Sequence, residues 1–368
     1  MKKTGYRAVG LMCGTSVDAI DVALIETDGY AVQGFGPAAS APLDPALRQR
    51  IRAAMAEAAE LPASVAPPPA FSRLSRDIAE HHARAIAAAG IDLGHVDVVG
   101  FHGQTIRHAP HQGLTWQLGD AAYLAHRLHT PVVGDFRQAD VAAGGEGAPL
   151  VPLYHQALAA GFKGQMDYPL AVLNIGGVAN LTWIGGLNGE VIACDTGPGN
   201  ALLDDWVSSH GLGDCDLGGR IAAAGKVDKA RLGGWLSHPF FARRPPKSLD
   251  RDAFAALLRE EMSVEDGAAM LTAFSAAAVA RTVDCLPAAP RRWFVTGGGR
   301  HNPTMMAELA ARLASPVLAV EEVGWRGDYL EAEAFAFLAV RSLLKLPLSL
   351  PGTTGAPRPL TGGQTFMP

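Results

Sequence analysis

Asp195-Thr-Gly-Pro-Gly-Asn200 places a carboxylate at the end of a strand, then a rigid turn, then the start of a helix. The positive end of a helix favours an ionised carboxylate, so Asp195 is a candidate catalytic base. The plainer alternative is that Asp195 only organises the turn. Three glycine-containing loops could hold phosphate. Gly14-Thr15-Ser16-Val17-Asp18-Ala19-Ile20-Asp21 offers a glycine that lets backbone approach an anion, two hydroxyls, and carboxylates able to hold a metal. Ile175-Gly176-Gly177-Val178 is a second backbone cradle. Thr296-Gly297-Gly298-Gly299-Arg300 lies between a strand and a helix N-terminus, where phosphate is electrostatically favoured. Each loop alone reads as an ordinary polar turn, but three in one chain point to a nucleotide. The route is not a familiar one. Gly225-Lys226-Val227 lacks the spacing and the hydroxyl of a Walker A loop, no GxGxxG follows a strand, and Asp135-Phe136 continues as Arg137.

His102-Gly-Gln-Thr105 follows a strand, and His108 and His111 come soon after. Their spacing matches no zinc pattern, and hydrogen bonding to a polyhydroxylated ligand suits them better. Gly134-Asp135-Phe136-Arg137 ends another strand, so Asp135 and Arg137 can reach the same cleft. Ala143-Gly-Gly-Glu-Gly-Ala148 reads as a mobile hinge beside it. His81-His82 and Arg243-Arg244 read as solvated faces.

These residues must be carried by alternating strands and helices. Strands are predicted at Ala8–Met12, Ile20–Ile25, Asp97–Phe101, Pro131–Gly134, Leu170–Asn174, Asn180–Ile184, Glu190–Cys194, Trp293–Thr296 and Val317–Val320. Helices are predicted at Leu47–Ala59, Phe71–Ala89, Leu150–Ala160 with Pro149 at its first position, from Asn200 as cap, and over Glu265–Leu286 and Tyr329–Leu344. Asn302 caps a further helix with Pro303 at its first position. The tail from Pro347 is read as surface chain. Strand, small-residue loop and strand recur at about 8–25 and 170–184, a duplicated two-lobe theme.

Length and charge agree with an α/β enzyme of two lobes. At 368 residues the chain exceeds one ordinary core. Lys+Arg is 31 against 36 Asp+Glu, a net charge of −5, which argues against a nucleic-acid binder. Charged residues are 18% and hydrophobic residues 48%, so the chain is not disordered. The four cysteines form no CxxC pair, so neither a disulfide framework nor structural zinc is expected. No leader and no membrane-spanning run is read, and a cytoplasmic location is expected.

Together the motifs resemble the anhydro-N-acetylmuramic acid kinase family. The carriers are GLMCGTSVDAID (10–21), GFHGQTIRH (100–108), QLGD (117–120), GDFRQADVAAGGEGAPLVP (134–152), NIGGVANLT (174–182), DTGPGN (195–200), HPFFARRPPKS (238–248), VTGGGRHNP (295–303) and EAEAFAFLA (331–339). The resemblance covers Val9 to about Ala339, nine-tenths of the chain. It implies an α/β, two-lobed actin/hexokinase-like fold, ribonuclease H-like and duplicated, with a deep interlobe cleft. Residues 1–140 are then the first lobe, with the 345–368 tail packing back on it, and 141–344 the second. It implies ATP- and Mg²⁺-dependent conversion of 1,6-anhydro-N-acetylmuramic acid and water to N-acetylmuramic acid 6-phosphate in cell-wall recycling, by a homodimer. Water attacks C1 and the released O6 attacks the γ-phosphate, with Asp195 as base. His102, Thr105, His108, Asp135, Arg137 and Glu331 line the sugar site, with Glu331 holding the sugar or its water. The resemblance departs at Met12 and Asn174, where actin-like folds usually carry aspartate, so Asp18, Asp21 and Asp195 become the nearby metal candidates, Asp18 and Asp21 first. It departs also at Ala19, in place of a glycine, and at Glu146, in place of a glutamine. Another sugar kinase without ring opening, and a non-catalytic nucleotide- or sugar-binding regulator, stand as the alternative readings; ATP turnover with and without anhydro-sugar separates them.

Overall fold

A computed structural model describes residues 4–14, 16–62, 67–162, 164 and 166–368. The chain divides into two compact units, Met1–Lys163 with Tyr329–Pro368, and Gly164–Asp328. The division falls later than the expected 140/141 and earlier than 344/345, and packing explains both shifts. The helix Pro152–Gly161 packs on a strand of the first unit and on the helix Leu330–Leu343. That last helix crosses the same unit's sheet at very close range.

In the first unit the strands are β1 Tyr6–Cys13, β2 Ala19–Thr27, β3 Val32–Pro42, β4 Val98–Phe101, the hairpin β5 Gln104–Ala109 and β6 Leu114–Leu118, and β7 Val132–Gly134. The main sheet runs β7-β4-β1-β2-β3, and the C-terminal strand Gln364–Phe366 adds antiparallel beside β7. β1, β2 and β3 form an antiparallel meander, while β4 joins β1 in parallel and β7 joins β4 in parallel. The second unit repeats this with β8 Leu170–Ile175, β9 Val178–Ile184, β10 Val191–Pro198, β11 Arg292–Thr296 and β12 Val317–Ala319. Its order is β10-β9-β8-β11-β12, again an antiparallel meander followed by two parallel strands. The 3-2-1-4-5 order, present twice, is the duplicated ribonuclease H-like arrangement of the actin/hexokinase-like class.

β3 was not expected. Its sequence, VQGFGPAASAP, lacks apolar alternation because it is an edge strand on which only Val32 is buried. Pro149 precedes the helix it was expected to open; Pro152 takes the first helical position instead. Asn302 caps the helix Pro303–Arg312 by accepting from the Met305 N–H. Asn200 does not cap through its side chain, which donates to the Ile175 carbonyl at 3.1 Å. The segment Val264–Cys285 is long and apolar enough, at a mean hydropathy of 1.2, to resemble a membrane span, contrary to expectation. Most of it is buried in the second unit, where Ala268, Phe274, Ala276 and Ala278 form core. All four cysteines are free thiols.

Two glycines set the depth at which Leu330–Leu343 lies on its sheet. A Cβ on Gly10 of β1 would sit 1.7 Å from the Ala332 carbonyl oxygen, and one on Gly100 of β4 would sit 2.0 Å from that of Phe335. Helix backbone therefore rests on strand backbone at both positions. Gly10→Ala is expected to destabilise the protein by about 3 kcal/mol or more, since neither neighbour is a yielding side chain. Gly113→Ala, at an open left-handed position with nothing within 4 Å, should lose only about 1 kcal/mol. Thermal melts of the two variants check the contrast.

Candidate active site

In the first unit the loop after β1 carries most of the first predicted phosphate cradle. Thr15 lies outside the described residues. Gly14 has open space where a Cβ would be, with Ser16 Oγ at 3.8 Å as its nearest neighbour. Ser16 is exposed, and its carbonyl accepts from Arg52. Val17 departs from a simple polar loop: it is fully buried and holds φ +58°, a strained conformation for a β-branched residue. Val17 and Ile20 thus send their side chains into the core, and only their backbone is available to a ligand. The Asp18 carboxylate pairs with Arg48 at 3.7 Å, and its carbonyl accepts from Leu43 N–H at 2.9 Å, which ties the loop to the helix Pro45–Glu60. Ala19 and Asp21 lie in β2, with Asp21 opposite Met12. Burial, then the charges of Asp21 and Asp18, push the Cys13 thiol up to about 12, so it is inert.

Arg137 organises the sugar-site candidates of this unit. Its Nε and Nη2 donate to His102 Nε2 at 3.1 and 2.9 Å, and its Nη1 donates to the Gly147 carbonyl at 2.8 Å. A guanidinium only donates, so His102 Nε2 must accept. His102 Nδ1 then carries the proton and donates to the Gly103 carbonyl at 2.8 Å. His102 is accordingly neutral; burial, then the Arg137 charge, hold its pKa well below the usual histidine value. Burial also lowers Arg137 to about 10, while Glu331 and Asp140 support its charge. The Glu331 carboxyl is raised by the protein around it, against the pull of Arg137 and with Asp21 adding to the rise. Glu331 is therefore within electrostatic reach of Arg137 and of Asp21, and Arg137 is bonded to His102. His108 sits further out, bonded through Nδ1 to Thr115 Oγ1 at 2.9 Å. Thr105 accepts from Gln117. Asp135 holds φ +53° and lines, with His102, Gln117, Asp120 and Phe366, a pocket of about 320 Å³.

The Ala143–Ala148 loop is pinned rather than hinged. Asp140 is buried, and its Oδ1 accepts from Gly147 N–H at 2.6 Å. Its Oδ2 accepts from Ser349 and from Thr354, the latter at 2.7 Å. The Glu146 N–H donates to the Thr354 carbonyl, and its side chain is exposed. The Gly147 carbonyl is thereby fixed as the acceptor that orients Arg137.

In the second unit Asp195 stands in β10 beside a bulge. Its N–H donates to the Lys247 carbonyl at 2.9 Å, and its Oδ2 accepts from Leu249 N–H at 2.7 Å. The carboxylate is thus held by the 247–249 loop, not by the helix N-terminus expected from the Gly-Pro-Gly turn. Burial pushes it up to about 6, with Leu249 and the Lys247 charge pulling the other way. The glycine loops of this unit do meet. Gly199 and Asn200 N–H donate to the Gly177 and Gly176 carbonyls at 2.9 and 2.7 Å. A Cβ on Gly297 (φ +76°) would lie 2.4 Å from Asn174 Oδ1, and one on Gly299 would lie 2.4 Å from Ile175 Cγ2. Gly298 faces Asn200 with room to spare, at 3.5 Å. Arg300 locks this turn, with Nη1 on the Gly297 carbonyl, Nε on Glu321 at 2.8 Å and Nη2 on Asp328 at 2.5 Å.

The residues thus gather in two sets, Asp21, His102, Arg137 and Glu331 in one unit and Asp195, Gly176, Gly177 and Gly297–Gly299 in the other. Sequence reasoning missed Gln104 and Gln117, whose Oε1 atoms are buried without a hydrogen-bond partner among the described residues. Gln104 stands inside the HGQT motif, where a neutral amide carries no titration signal to set it apart. It missed the Lys247–Leu249 clamp, which has no local signal at all.

The profile of a family described as "Anhydro-N-acetylmuramic acid kinase" matches residues 6–368. A protein of that name from Paramagnetospirillum magneticum is 53% identical over 368 residues, covering 98% of this chain and 99% of the relative. One from Acidiphilium cryptum is 53% identical over 364 residues, covering 98% of both. Among solved structures, a ROK family glucokinase from Streptomyces griseus in complex with glucose and AMPPNP aligns with a TM-score of 0.42 at 16% identity, over 90% of this chain and 99% of the other.

Proposed function

This chain belongs to the anhydro-N-acetylmuramic acid kinase family, and from that premise we propose that it converts 1,6-anhydro-N-acetylmuramic acid, water and ATP to N-acetylmuramic acid 6-phosphate and ADP in peptidoglycan recycling. The observation that carries the reaction is Asp195, a clamped, half-buried carboxyl raised to about 6, which suits a base at neutral pH. Asp195 takes a proton from water as the oxygen attacks C1. The C1–O6 bond breaks, and its electron pair leaves on O6. O6 then attacks the γ-phosphorus and ADP departs, so the departing alkoxide is captured by phosphorus and no separate acid is required.

The chain's own groups divide the rest of the work. Arg137 has committed three of its five N–H donors to His102 and Gly147, which leaves two for the lactyl carboxylate. Glu331 holds a sugar hydroxyl or the attacking water. Gln104 and Gln117 offer acceptors to hydroxyl or amide N–H groups of the sugar, with His102, Thr105, His108 and Asp135 around it. The loops Gly14–Asp21, Gly176–Gly177 and Gly297–Gly299 hold ATP. Mg²⁺ needs only one or two carboxylates beside substrate phosphates and water, and no cluster of three His, Cys, Asp or Glu ligands is present among the described residues. Asp18, which pairs with Arg48, and Asp21 are its candidate carboxylates; the ion, when bound, would neutralise charge on the phosphates. We assign the protein to the cytoplasm, as a homodimer.

ADP release with and without anhydro-sugar tests the reaction: turnover that does not depend on the sugar would overturn it. Gly298 tests the third loop. An alanine there meets only Asn200 Nδ2 at 3.5 Å, so Gly298→Ala should melt like wild type. It should nevertheless weaken ATP binding by roughly tenfold, because the methyl stands where the phosphate must approach. Unchanged ATP affinity by calorimetry would take the loop out of the nucleotide site.

A further inference from the structure

Gln104 opens β5, two residues after His102, and the turn between them reaches two different loops. Gly103 makes that turn possible: it holds φ +73°, and a Cβ there would lie 2.7 Å from the Leu118 carbonyl oxygen. On one side of the turn His102 accepts from Arg137. On the other, Gln104 Nε2 donates to the Gly14 carbonyl at 3.2 Å, across 90 residues, and to the Thr105 carbonyl at 3.4 Å. Gly14 begins the first phosphate loop. Its carbonyl also accepts from Val17 N–H at 3.1 Å, which closes the loop over the strained Val17.

The orientation of this amide is fixed. Carbonyl oxygens only accept, so the nitrogen must face Gly14 and Thr105 and the oxygen must face away. Gln104 is 1% exposed, and its Oε1 is buried without a partner among the described residues. A buried acceptor that meets no donor is unfavourable, and a ligand that donates to it relieves the penalty. Gln117 Oε1 is unpaired as well, but its Nε2 donates to the Thr105 and Thr115 hydroxyls at 3.3 and 2.8 Å, so its bonds stay within the β5–β6 hairpin.

We propose that Gln104 couples the sugar to the nucleotide: a neutral N–H or O–H of the bound sugar donates to Oε1, and the amide so held keeps Nε2 on the Gly14 carbonyl and the loop in the form that takes ATP. The inference rests on the sugar and ATP assignments proposed above. Without sugar, the amide gains by turning Oε1 toward any donor, at the expense of its bond to Gly14. A sugar donor removes that gain and, by drawing charge onto Oε1, strengthens donation from Nε2. The lactyl carboxylate only accepts, so it is excluded from this position. Linkage makes the effect mutual: ATP tightens the sugar by the factor with which the sugar tightens ATP.

The test is calorimetric binding of the non-hydrolysable analogue AMPPNP with and without saturating 1,6-anhydro-N-acetylmuramic acid, and of the sugar with and without AMPPNP. Wild type should bind each ligand roughly tenfold more tightly in the presence of the other, and in Gln104→Leu that ratio should fall to about twofold or less. AMPPNP alone should bind the variant within a few-fold of wild type. Should Gln104→Leu fail to melt cooperatively, Gln104→Met, unbranched like glutamine, is read in its place. Gln117→Leu is the control: it should weaken the sugar and keep the wild-type ratio. A wild-type ratio in the Gln104 variants, or no coupling in a wild type that binds both ligands, would overturn the coupling and leave the proposed reaction standing. A ratio lost equally in Gln117→Leu would overturn the assignment to Gln104. A wild type that binds AMPPNP but no anhydro-sugar would overturn the reaction itself.

Discussion

Asp195→Asn is expected to abolish both products together while making the protein more resistant to heat. Asparagine keeps the shape and can still accept from Leu249 N–H through its Oδ atom, so the loop grip survives. The base is lost, and a lost general base typically lowers the rate by roughly 10²–10⁴-fold. Phosphorylation falls with ring opening because O6 is not a nucleophile until its bond to C1 breaks. ATP and sugar should still bind. Stability moves the other way. The folded carboxyl titrates near 6 rather than near the usual aspartate value, so ionising it opposes folding as pH climbs through that range. At pH 7 the penalty is at most on the order of 3 kcal/mol, and asparagine removes it. Below the ordinary aspartate range the two proteins should melt alike. The wild-type kcat/KM should fall on the acid side with a midpoint near pH 6. In ¹⁸O-water, label should enter the C1 hydroxyl and not the phosphate. Label in the phosphate, or an Asp195→Asn variant near the wild-type rate, would remove Asp195 from the reaction.

That Asp195 could be singled out from sequence, while its partners could not, has a physical cause. A strand end, a Gly-Pro-Gly turn and a helix start are local, and local spacing is what a sequence displays. The same holds for β1, β4, β7, β8 and β11, short apolar runs closed by polar or glycine residues. What fixes Asp195 comes from 54 residues away, through backbone atoms that any residue would supply. Asp140 is similar: it meets Ser349 and Thr354 across 209 and 214 residues, and so a run of glycines that reads as a hinge is in fact pinned. The boundary at 329 was hidden for another reason. The pattern of Leu330–Leu343 shows a buried helix but not which sheet buries it; Gly10 and Gly100 decide that, and a glycine inside a strand does not announce the backbone it admits. β3 shows the converse limit, since a strand at an edge carries too little burial to leave a period.

Arg137→Ala is the second large expected effect. If the two uncommitted N–H groups of Arg137 meet the lactyl carboxylate, their loss should raise KM for the anhydro-sugar by roughly 10²–10³-fold, the worth of a bidentate charged pair. Affinity for ATP should change by no more than a few-fold. Arg137→Lys should recover little, because an ammonium cannot span His102, Gly147 and a carboxylate at once. A raised KM alone would not prove the contact, since the variant also frees His102 and the Gly147 carbonyl. His102 offers one control. Arg137 contributes to its low pKa but burial contributes more, so His102 should remain neutral at pH 7 in the variant, and its ring signals by NMR should show no titration there. The decisive control is a sugar without the lactyl group, 1,6-anhydro-N-acetylglucosamine. Wild type should prefer the muramic sugar strongly in kcat/KM. Arg137→Ala should lose the muramic sugar's advantage and treat the two nearly alike, because a merely structural defect would slow both in proportion. A preference that survives the substitution would mean that the carboxylate is read elsewhere, and that Arg137 serves only to hold His102 and the 143–148 loop in place.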